Sequence, residues 1–394
     1  MASLIRGAPR PRLAAQMGFL ALTVVAVFAL RGHAERWCPF GGVEGLYTYF
    51  AEGNMPCSLG MSNLAILLGI LAVTLIARRA FCSHACPIGA LSEWTHRLGG
   101  RLGLPRPRVS RRADRLLSLG KYAALGVILW FTYRTAELVF RGYDPCYALI
   151  SRHGEDITLW AYAISGGILL ASLVLALPFC RWLCPFAAVL QPFSAAGLLR
   201  IRRSDQGCAD CGRCATACPM GIPVDALAEV TSPSCTACGD CLKVCKVRKH
   251  PPLRWALPGV KNAGLPKWIP LPILLAGIAL SVGAAQFFPA PSFTYSRGEE
   301  PAEAAAADLE LAGLDCRGRA TLLVFFLDRD DEFALPGYVK LEAWPGPEKG
   351  RARISYDPSQ ADPEMLRLGI TEPYFNLADN LWYPSPFAVV KVAP

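Results

Sequence analysis

Two cysteine runs decide how this chain is interpreted: CADCGRCATACP at residues 208–219 and CTACGDCLKVC at residues 235–245. Each run has the spacing C-x2-C-x2-C-x3-C, and sixteen residues separate Cys218 from Cys235. Cysteines in this spacing hold [4Fe-4S] clusters, and the fourth cysteine of each run crosses to the other cluster. Structural zinc and a disulfide knot are the alternatives, but zinc usually takes separated C-x-x-C pairs.

The crossing of the fourth cysteine defines two predicted ligand sets. The first set is Cys208, Cys211, Cys214 and Cys245, and the second set is Cys235, Cys238, Cys241 and Cys218. Pro219 follows the first run as in bacterial ferredoxins, whereas Lys246 replaces the second proline. We therefore predict two [4Fe-4S] clusters in a bacterial-type 2[4Fe-4S] ferredoxin domain at residues 201–255.

The chain as a whole is too long and too apolar for one soluble domain. It has 394 residues, 53% hydrophobic content and a mean hydropathy of +0.31. The apolar segments lie at residues 13–30, 63–77, 121–138, 158–177 and 269–288. We predict an α-helical membrane protein with about five transmembrane helices, divided into a four-helix domain at 1–200 and a fifth helix at 266–290.

The distribution of charge predicts the orientation of the chain. Residues 1–290 carry 30 basic and 14 acidic side chains, whereas residues 291–394 carry 10 and 17. Arginines concentrate before the first span and after the second, including Arg12, Arg78 and Arg79. The positive-inside rule then predicts a protein of the cytoplasmic (inner) membrane, with a cytoplasmic N-terminus and ferredoxin domain and an extracytoplasmic C-terminal domain. The basic residues flank apolar segments, so nucleic acid is not an expected partner.

A repeated motif lies at the end of the second and fourth spans. FCSHACP at residues 81–87 and FCRWLCP at residues 179–185 share the pattern F-C-x3-C-P, 98 residues apart. We predict a duplication that brings four cysteines together as a candidate membrane redox site. These repeat cysteines are Cys82, Cys86, Cys180 and Cys184. A further iron–sulfur centre, two redox dithiols and inert buried thiols all stay open as their role.

Further cysteines and charges lie at the predicted outer ends of the spans. Cys38 and Cys57 share the first outer loop, where an oxidising compartment permits a disulfide, and Cys146 lies in the second. Arg134 and Glu137 stand three residues apart near the end of the third span. A quinol or proton site is one interpretation of this pair, and snorkelling to the interface is the more ordinary one.

The combination of motifs resembles a known family. WCPFGGVE at residues 37–44, the two F-C-x3-C-P motifs, four spans and the doubled ferredoxin run resemble the NapH-type membrane ferredoxins, with the NosR and FixG/CcoG groups as wider relatives. The resemblance covers about residues 13–290. It implies membrane-bound electron transfer between quinol or cytoplasmic donors and an extracytoplasmic redox partner, and it favours a redox role for the repeat cysteines. The fifth span and the C-terminal domain depart from NapH.

Residues 291–394 are predicted to form a soluble α+β domain with the ferredoxin-like order βαββαβ. GLDCRGRA and ISYDPS resemble parts of a heavy-metal-associated domain, but only Cys316 occupies the loop that has two cysteines in such domains. One thiol makes a weak metal site. We therefore expect this domain to dock an extracytoplasmic partner, with metal binding by Cys316 as the weaker alternative.

These features together predict an electron-transfer subunit rather than a stand-alone enzyme. The chain would relay electrons between a cytoplasmic or quinol donor and an extracytoplasmic redox protein. The rival hypothesis is a metal-ion or thiol reductase, or a metal-handling protein, that uses the outer cysteines. A scaffold with purely structural clusters is a third possibility.

Overall fold

The computed structural model divides the chain into two compact units. One comprises Met1–Phe40 and Ala65–Ala284, and the other comprises Gly41–Leu64 and Ala285–Pro394. The described residues are 10–29, 38–52, 61–107, 109–135, 139–150, 157–204, 207–245, 247, 251–259, 265–287, 291, 293–298, 304–346, 349–376 and 380–393. The cysteine runs and both F-C-x3-C-P motifs belong to the first unit, whereas the bounds of the four predicted domains stay predictions.

Helices occupy all five predicted spans, but they differ in length. Among the described residues, two helices are long and apolar enough to cross a membrane, Pro11–Ala29 and Arg111–Arg134. Shorter apolar helices occupy Ser62–Ala77, Leu159–Val174 and Pro270–Ala284. A crossing helix needs about 20 residues, so length and composition support two of the five spans.

Fourteen α-helices and two short turns of other helical type are named here for residues 10–287. They are α1 (Arg10–Val24) with a π-helical turn after it (Val25–Ala29), α2 (Pro39–Glu52), α3 (Met61–Ala77), α4 (Ala80–His84), α5 (Pro87–Arg101), α6 (Arg111–Leu117), α7 (Gly120–Thr135), a 3-10 turn (Val139–Gly142), α8 (Pro145–Ile150), α9 (Leu159–Val174), α10 (Pro178–Trp182), α11 (Pro185–Ala195), α12 (Arg213–Thr216), α13 (Asp240–Lys243) and α14 (Pro270–Phe287).

The two F-C-x3-C-P motifs adopt the same local structure. After α3 and after α9 the chain turns through a residue with positive φ, Arg78 at 55° and Leu177 at 49°, and then forms the short helix α4 or α10. That helix ends where the second cysteine of the motif donates its N–H to the phenylalanine carbonyl, at 3.0 Å from Cys86 and 2.9 Å from Cys184. The following proline begins α5 or α11, because the first helical position needs no N–H.

The two cysteine runs are also alike in local structure. Asp210 and Gly212 in the first run have φ of 39° and 63°, and Ala237 and Gly239 in the second have φ of 51° and 73°. These positive φ values turn the backbone of each run before α12 or α13 begins, and glycine adopts such values without strain. The strands β1 (Arg200–Arg203), β2 (Glu229–Val230) and β3 (Leu253–Ala256) form an antiparallel sheet in the order β2-β1-β3.

The C-terminal part of the second unit is a sheet with two helices packed against it. Its elements are β4 (Phe293–Ser296), β5 (Ala305–Ala312), α15 (Arg317–Leu327), β6 (Tyr338–Trp344), β7 (Lys349–Tyr356), α16 (Pro363–Thr371), β8 (Tyr374–Asn376), β9 (Leu381–Tyr383) and β10 (Ala388–Ala393). The antiparallel sheet has the order β10-β5-β7-β6-β4. The elements β5, α15, β6, β7, α16 and β10 follow the predicted βαββαβ order along the chain. The sequence analysis does not predict edge strand β4 or the hairpin β8–β9.

Candidate iron–sulfur centres

The second predicted ligand set lines one pocket. We call it the buried cluster site, and its four cysteines are Cys218, Cys235, Cys238 and Cys241. The rest of its wall is largely apolar and includes Ile201, Met220, Ile222, Val224 and Val230. Cys235 and Cys241 are only 7% and 5% exposed. This site is therefore shielded from water.

The first predicted ligand set lines a second pocket. We call it the exposed cluster site, and its four cysteines are Cys208, Cys211, Cys214 and Cys245. Charged residues share its wall, including Arg203, Asp210, Arg213 and Asp225. The guanidinium of Arg203 lies 3.8 Å from the Cys208 sulfur and 3.1 Å from a carboxylate oxygen of Asp210. Cys211 is exposed, so this site borders solvent.

The chemistry of the buried cluster site suits a [4Fe-4S] cluster. Burial raises the pKa of the Cys218 thiol to about 11, although the backbone N–H groups of Ile222 and Met220 oppose this effect. Four buried thiolates would be unfavourable without a positive partner, and iron supplies that charge. Among the described residues, no three His, Cys, Asp or Glu side chains are grouped tightly enough for a single metal ion.

The buried cluster site is joined directly to the first F-C-x3-C-P motif. The backbone N–H of Arg79 donates to the Cys235 carbonyl at 3.4 Å. The Ser83 hydroxyl donates to the Thr236 carbonyl at 2.7 Å. Cys180 of the second motif belongs to the same apolar core as Cys235. The loop that carries Cys235 therefore contacts both repeats.

A buried ion-pair network fixes α1 and α5 to the same site. Arg12 is 2% exposed; its guanidinium donates to the Cys238 carbonyl at 3.1 Å and pairs with Asp240 at 2.8 Å. It also pairs with Glu93, which Arg97 contacts in turn. Burial alone raises the pKa of Glu93, but Arg12 and Arg97 outweigh it and hold that pKa below 4.5.

Arg78 bridges three segments around the buried cluster site. Its side chain is fully buried and its guanidinium donates only to backbone carbonyls. The acceptors and distances are Leu199 (2.7 Å), Ser194 (3.2 Å), Thr231 (3.3 Å) and Ser232 (3.0 Å). Arg78 therefore ties the end of α3 to the end of α11 and to the loop before Cys235.

Arg79 places a buried positive charge beside the repeat cysteines. Its guanidinium lies 3.9 Å from the Cys82 sulfur and donates to the Cys180 carbonyl at 3.3 Å. Its side chain is fully buried, and Nε and Nη1 have no hydrogen-bond partner among the described residues. An unpaired buried charge is costly, so this guanidinium indicates that an anionic group belongs beside it.

The structure brings all four repeat cysteines together, as the duplication predicts. Cys180 is close enough to the other three for their sulfurs to interact electrostatically. Cys86 and Cys184 each precede a helix whose first N–H groups donate to the cysteine sulfur. Amide donors of this kind stabilise a thiolate.

Two further cysteines join this group, and sequence reasoning missed them. Cys146 packs with Cys86 and Cys184 against one apolar core, and its sulfur is in electrostatic range of Cys38 as well. The span assignment had placed Cys38 and Cys146 in outer loops, away from Cys86 and Cys184. The available signal was the proline beside each of them, in Cys38-Pro39 and Pro145-Cys146, as in Cys86-Pro87 and Cys184-Pro185.

The remaining predicted residues are not part of this group. Cys316 lies in the second unit just before α15, where burial and the neighbouring Asp315 raise the pKa of its thiol. Cys57 and Glu137 lie outside the described residues, and Arg134 lies 5.6 Å from the centre of the Trp130 ring. None of the described cysteines forms a disulfide.

Comparison with known proteins relates both cysteine regions to iron–sulfur proteins. The family model of a 4Fe-4S binding domain matches twice, at residues 59–105 and 157–204. The model of a 4Fe-4S dicluster domain matches residues 200–246. The double match supports the duplication, because its two copies each contain one F-C-x3-C-P motif. No family model matched here extends into residues 291–394, so the heavy-metal-associated resemblance stays a prediction.

The curated relatives give the family. "Putative electron transport protein YccM" of Escherichia coli (strain K12) is 30% identical over 262 residues, which cover 64% of this chain and 72% of YccM. The chain belongs to the family of ferredoxin-type 4Fe-4S proteins that includes YccM. "Ferredoxin-type protein NapH" of the same organism is 27% identical over 207 residues, covering 50% of this chain and 68% of NapH. The predicted NapH-type relationship is therefore confirmed.

One more distant relative of this ferredoxin-type family is much longer than the shared region. "Regulatory protein NosR" of Pseudomonas aeruginosa is 27% identical over 248 residues, covering 59% of this chain but 33% of NosR. No solved structure matches the chain. Iron–sulfur binding and electron transfer are thus the properties that the matched models and relatives of this family share.

Proposed function

We propose that this chain is a multi-pass protein of the cytoplasmic membrane that relays single electrons from a cytoplasmic or quinol donor to an extracytoplasmic redox protein. The donor loses one electron and the acceptor gains it, and the chain returns to its starting state. Two [4Fe-4S] clusters would supply the one-electron chemistry when bound in the exposed and buried cluster sites.

In this proposal electrons enter at the exposed cluster site. Its cavity borders solvent at Cys211, and Arg203 and Arg213 lie in its wall. A charged, accessible rim suits transient docking of a redox partner, because complementary charge raises association rates. The buried cluster site has no comparable charged wall, since mostly apolar side chains line it.

The contact between the buried cluster site and the repeats carries the proposal. Arg79 binds the Cys235 carbonyl through its backbone and the Cys82 sulfur and Cys180 carbonyl through its side chain. Arg79 therefore contacts both the buried cluster site and the repeat cysteines. This supports a route from the exposed site to the buried site and then to a membrane redox centre at the repeat cysteines.

The chain's own residues would prepare this route by excluding water and balancing charge. The apolar wall around Ile201 and Met220 keeps solvent from the buried site. Arg12 and Arg79 supply fixed positive charge beside it, which stabilises an added electron in a low-dielectric surrounding. Burial, together with nearby Arg12, lowers the pKa of His84 to about 4, so this neighbour of Cys82 and Cys86 stays neutral at physiological pH.

The remaining parts of the proposal concern topology and partners. We assign residues 1–200 and 266–290 to the membrane, residues 201–255 to the cytoplasm and residues 291–394 to the extracytoplasmic side. The C-terminal domain carries 10 basic and 17 acidic side chains, which suits docking to a basic redox partner.

Transmembrane electron transfer by the purified chain tests the relay. Proteoliposomes would contain ferricyanide inside and receive dithionite outside, with ferricyanide bleaching as the signal. We expect bleaching with the intact chain and with Cys316→Ser, and none with the Cys86→Ser/Cys184→Ser double variant. Equal bleaching in the double variant would contradict a route through the repeats. Loss of bleaching in Cys316→Ser, with iron content intact, would instead favour the rival metal or thiol reductase.

A further inference from the structure

We propose that the ligands of the membrane redox centre are Cys38, Cys86, Cys146 and Cys184, which form a four-thiolate site for a third [4Fe-4S] cluster. This inference rests on the proposed relay and specifies its membrane centre. Cys82 and Cys180 are left as non-ligating thiols between that centre and the buried cluster site. Cys38 and Cys146 lie outside both matches to the 4Fe-4S binding domain model.

Packing groups three of these cysteines apart from Cys180. Cys86, Cys146 and Cys184 all pack against the core formed by Ile88, Ile168 and Phe179. Cys180 instead packs in the core that includes Cys235 and Cys241 of the buried cluster site. In the second motif, Cys180 and Cys184 therefore pack in different surroundings.

Ring contacts bring the segment of Cys38 to the same place. Phe40 follows Cys38 by two residues, and Phe186 follows Cys184 by two residues. Their ring centres are 6.4 Å apart in an edge-to-face arrangement, and Phe186 also contacts Phe81 at 5.9 Å. On its other side Phe40 meets Phe140 at 4.8 Å, on the segment that leads to Cys146.

The fold explains how cysteines from predicted outer loops reach the repeats. Helix α4 ends just before Cys86, and α5 begins just after it. Helix α5 packs along α9, and the Ser92 and Ser172 hydroxyls form a hydrogen bond of 2.7 Å between the two helices. The short helix α8 packs against both α5 and α9, which brings Cys146 to the start of α5. The Cys146 N–H donates to the Asp144 carboxylate at 2.9 Å, which fixes the start of that helix.

The duplication accounts for the number four. Each half of the repeat contributes one cysteine from the connection before its second span and one from its F-C-x3-C-P motif: Cys38 and Cys86 from the first half, Cys146 and Cys184 from the second. Cys82 also lies in electrostatic range of Cys86 and Cys184, and its sulfur contacts the Arg79 guanidinium at 3.9 Å. A cubane needs four thiolates, and this set supplies them symmetrically.

Iron and sulfide counts on matched double variants test the assignment. We expect about twelve irons per intact chain, about eight in Cys38→Ser/Cys146→Ser and in Cys86→Ser/Cys184→Ser, and about twelve in Cys82→Ser/Cys180→Ser, since each cubane holds four. The EPR signals of the two ferredoxin clusters serve as the internal check that a variant is folded. Single Cys146→Ser and Cys146→Ala variants repeat the test where a double variant is unstable.

Three results would overturn this ligand set. They are a fall to about eight irons in Cys82→Ser/Cys180→Ser with no fall in Cys38→Ser/Cys146→Ser, a fall in all three pairs, or about eight irons in the intact chain. The first two contradict only the ligand set, since a membrane centre still exists. The third removes the membrane cluster itself, while the two ferredoxin clusters and their own electron transfer remain testable.

Discussion

The two cluster sites have the same cysteine spacing and the same left-handed turns, yet their surroundings differ. Arg203, Asp210, Arg213 and Asp225 share the wall of the exposed site, where Cys211 meets solvent. Apolar side chains line the buried site, whose loops rest on Arg79 and Ser83. Identical ligand spacing therefore does not give the two sites equivalent surroundings, and the proposed relay uses this difference by receiving electrons at the exposed site and passing them on from the buried site.

Removing ligands from each site should separate the two roles, and this is the largest effect we expect. Cys235→Ser/Cys241→Ser should abolish electron transfer to the repeats from any donor, because the buried site is the link. Cys208→Ser/Cys211→Ser should abolish transfer from a protein donor but leave slow transfer from dithionite, which needs no docking surface and reduces the buried site slowly across its apolar wall. Ferricyanide bleaching in proteoliposomes measures the transfer rate of each variant. Equal residual rates in the two variants would contradict the different roles of the two sites.

Arg78 should contribute more to stability than any arginine at the surface of the ferredoxin domain. Arg78→Met removes a buried guanidinium from four carbonyls, which should cost about 3 kcal/mol or more. Thermal or urea-induced loss of cluster absorbance measures the change. The matched control is Arg202→Gln, which breaks a half-exposed pair with Glu229 and should cost at most about 1 kcal/mol. Equal losses would contradict the bridging role.

Acid should weaken the attachment of the buried site through Glu93. The folded-state pKa of this carboxyl lies below 4.5, so its contribution is present above pH 4.5 and is lost as pH falls through the folded pKa. We expect that contribution to be about 2 kcal/mol, the scale of a charge-assisted hydrogen bond. Glu93→Gln should be less stable than the intact chain at pH 7, with the difference shrinking below pH 4.5. A difference that does not depend on pH would count against the ion-pair network.

Arg79 should tune the buried site without affecting the exposed site. Arg79→Gln removes a buried positive charge and should lower the potential of the buried cluster by roughly 60 mV, which is a tenfold change in a one-electron equilibrium constant. Arg203→Gln is the control at the exposed site, where pairing with 80% exposed Asp210 allows solvent to screen the charge. EPR-monitored redox titration measures the potentials of both clusters. Equal shifts in potential at the two sites would contradict the specific effect of Arg79 on the buried site.

Sequence reasoning predicted the duplicated motifs because local chemistry fixes them. A cysteine followed by proline at a helix start, or by a left-handed glycine in a cluster loop, needs little tertiary context. Each predicted ligand set of the ferredoxin domain lies around one cavity, and the four repeat cysteines lie together.

Other features depend on packing that the sequence pattern does not reveal. Arg12, Arg78 and Arg79 were counted as charges that orient the chain, but all three are buried and bind carbonyls or sulfur. Cys38 and Cys146 were separated from Cys86 because the spans were treated as straight crossings. The break after α3, the packing of α5 along α9 and the inward position of α8 bring them together.

Rapid-freeze EPR of the intact chain and of Cys235→Ser/Cys241→Ser tests most directly whether the buried cluster site links the exposed site to the repeats. Both proteins would be mixed with less than one equivalent of reductant and frozen over a series of times. We predict that the intact chain shows the electron first at the exposed cluster, then at the buried cluster and then in the membrane centre, whereas the variant retains it at the exposed cluster. Reduction of the membrane centre at the same rate in both proteins would contradict this account.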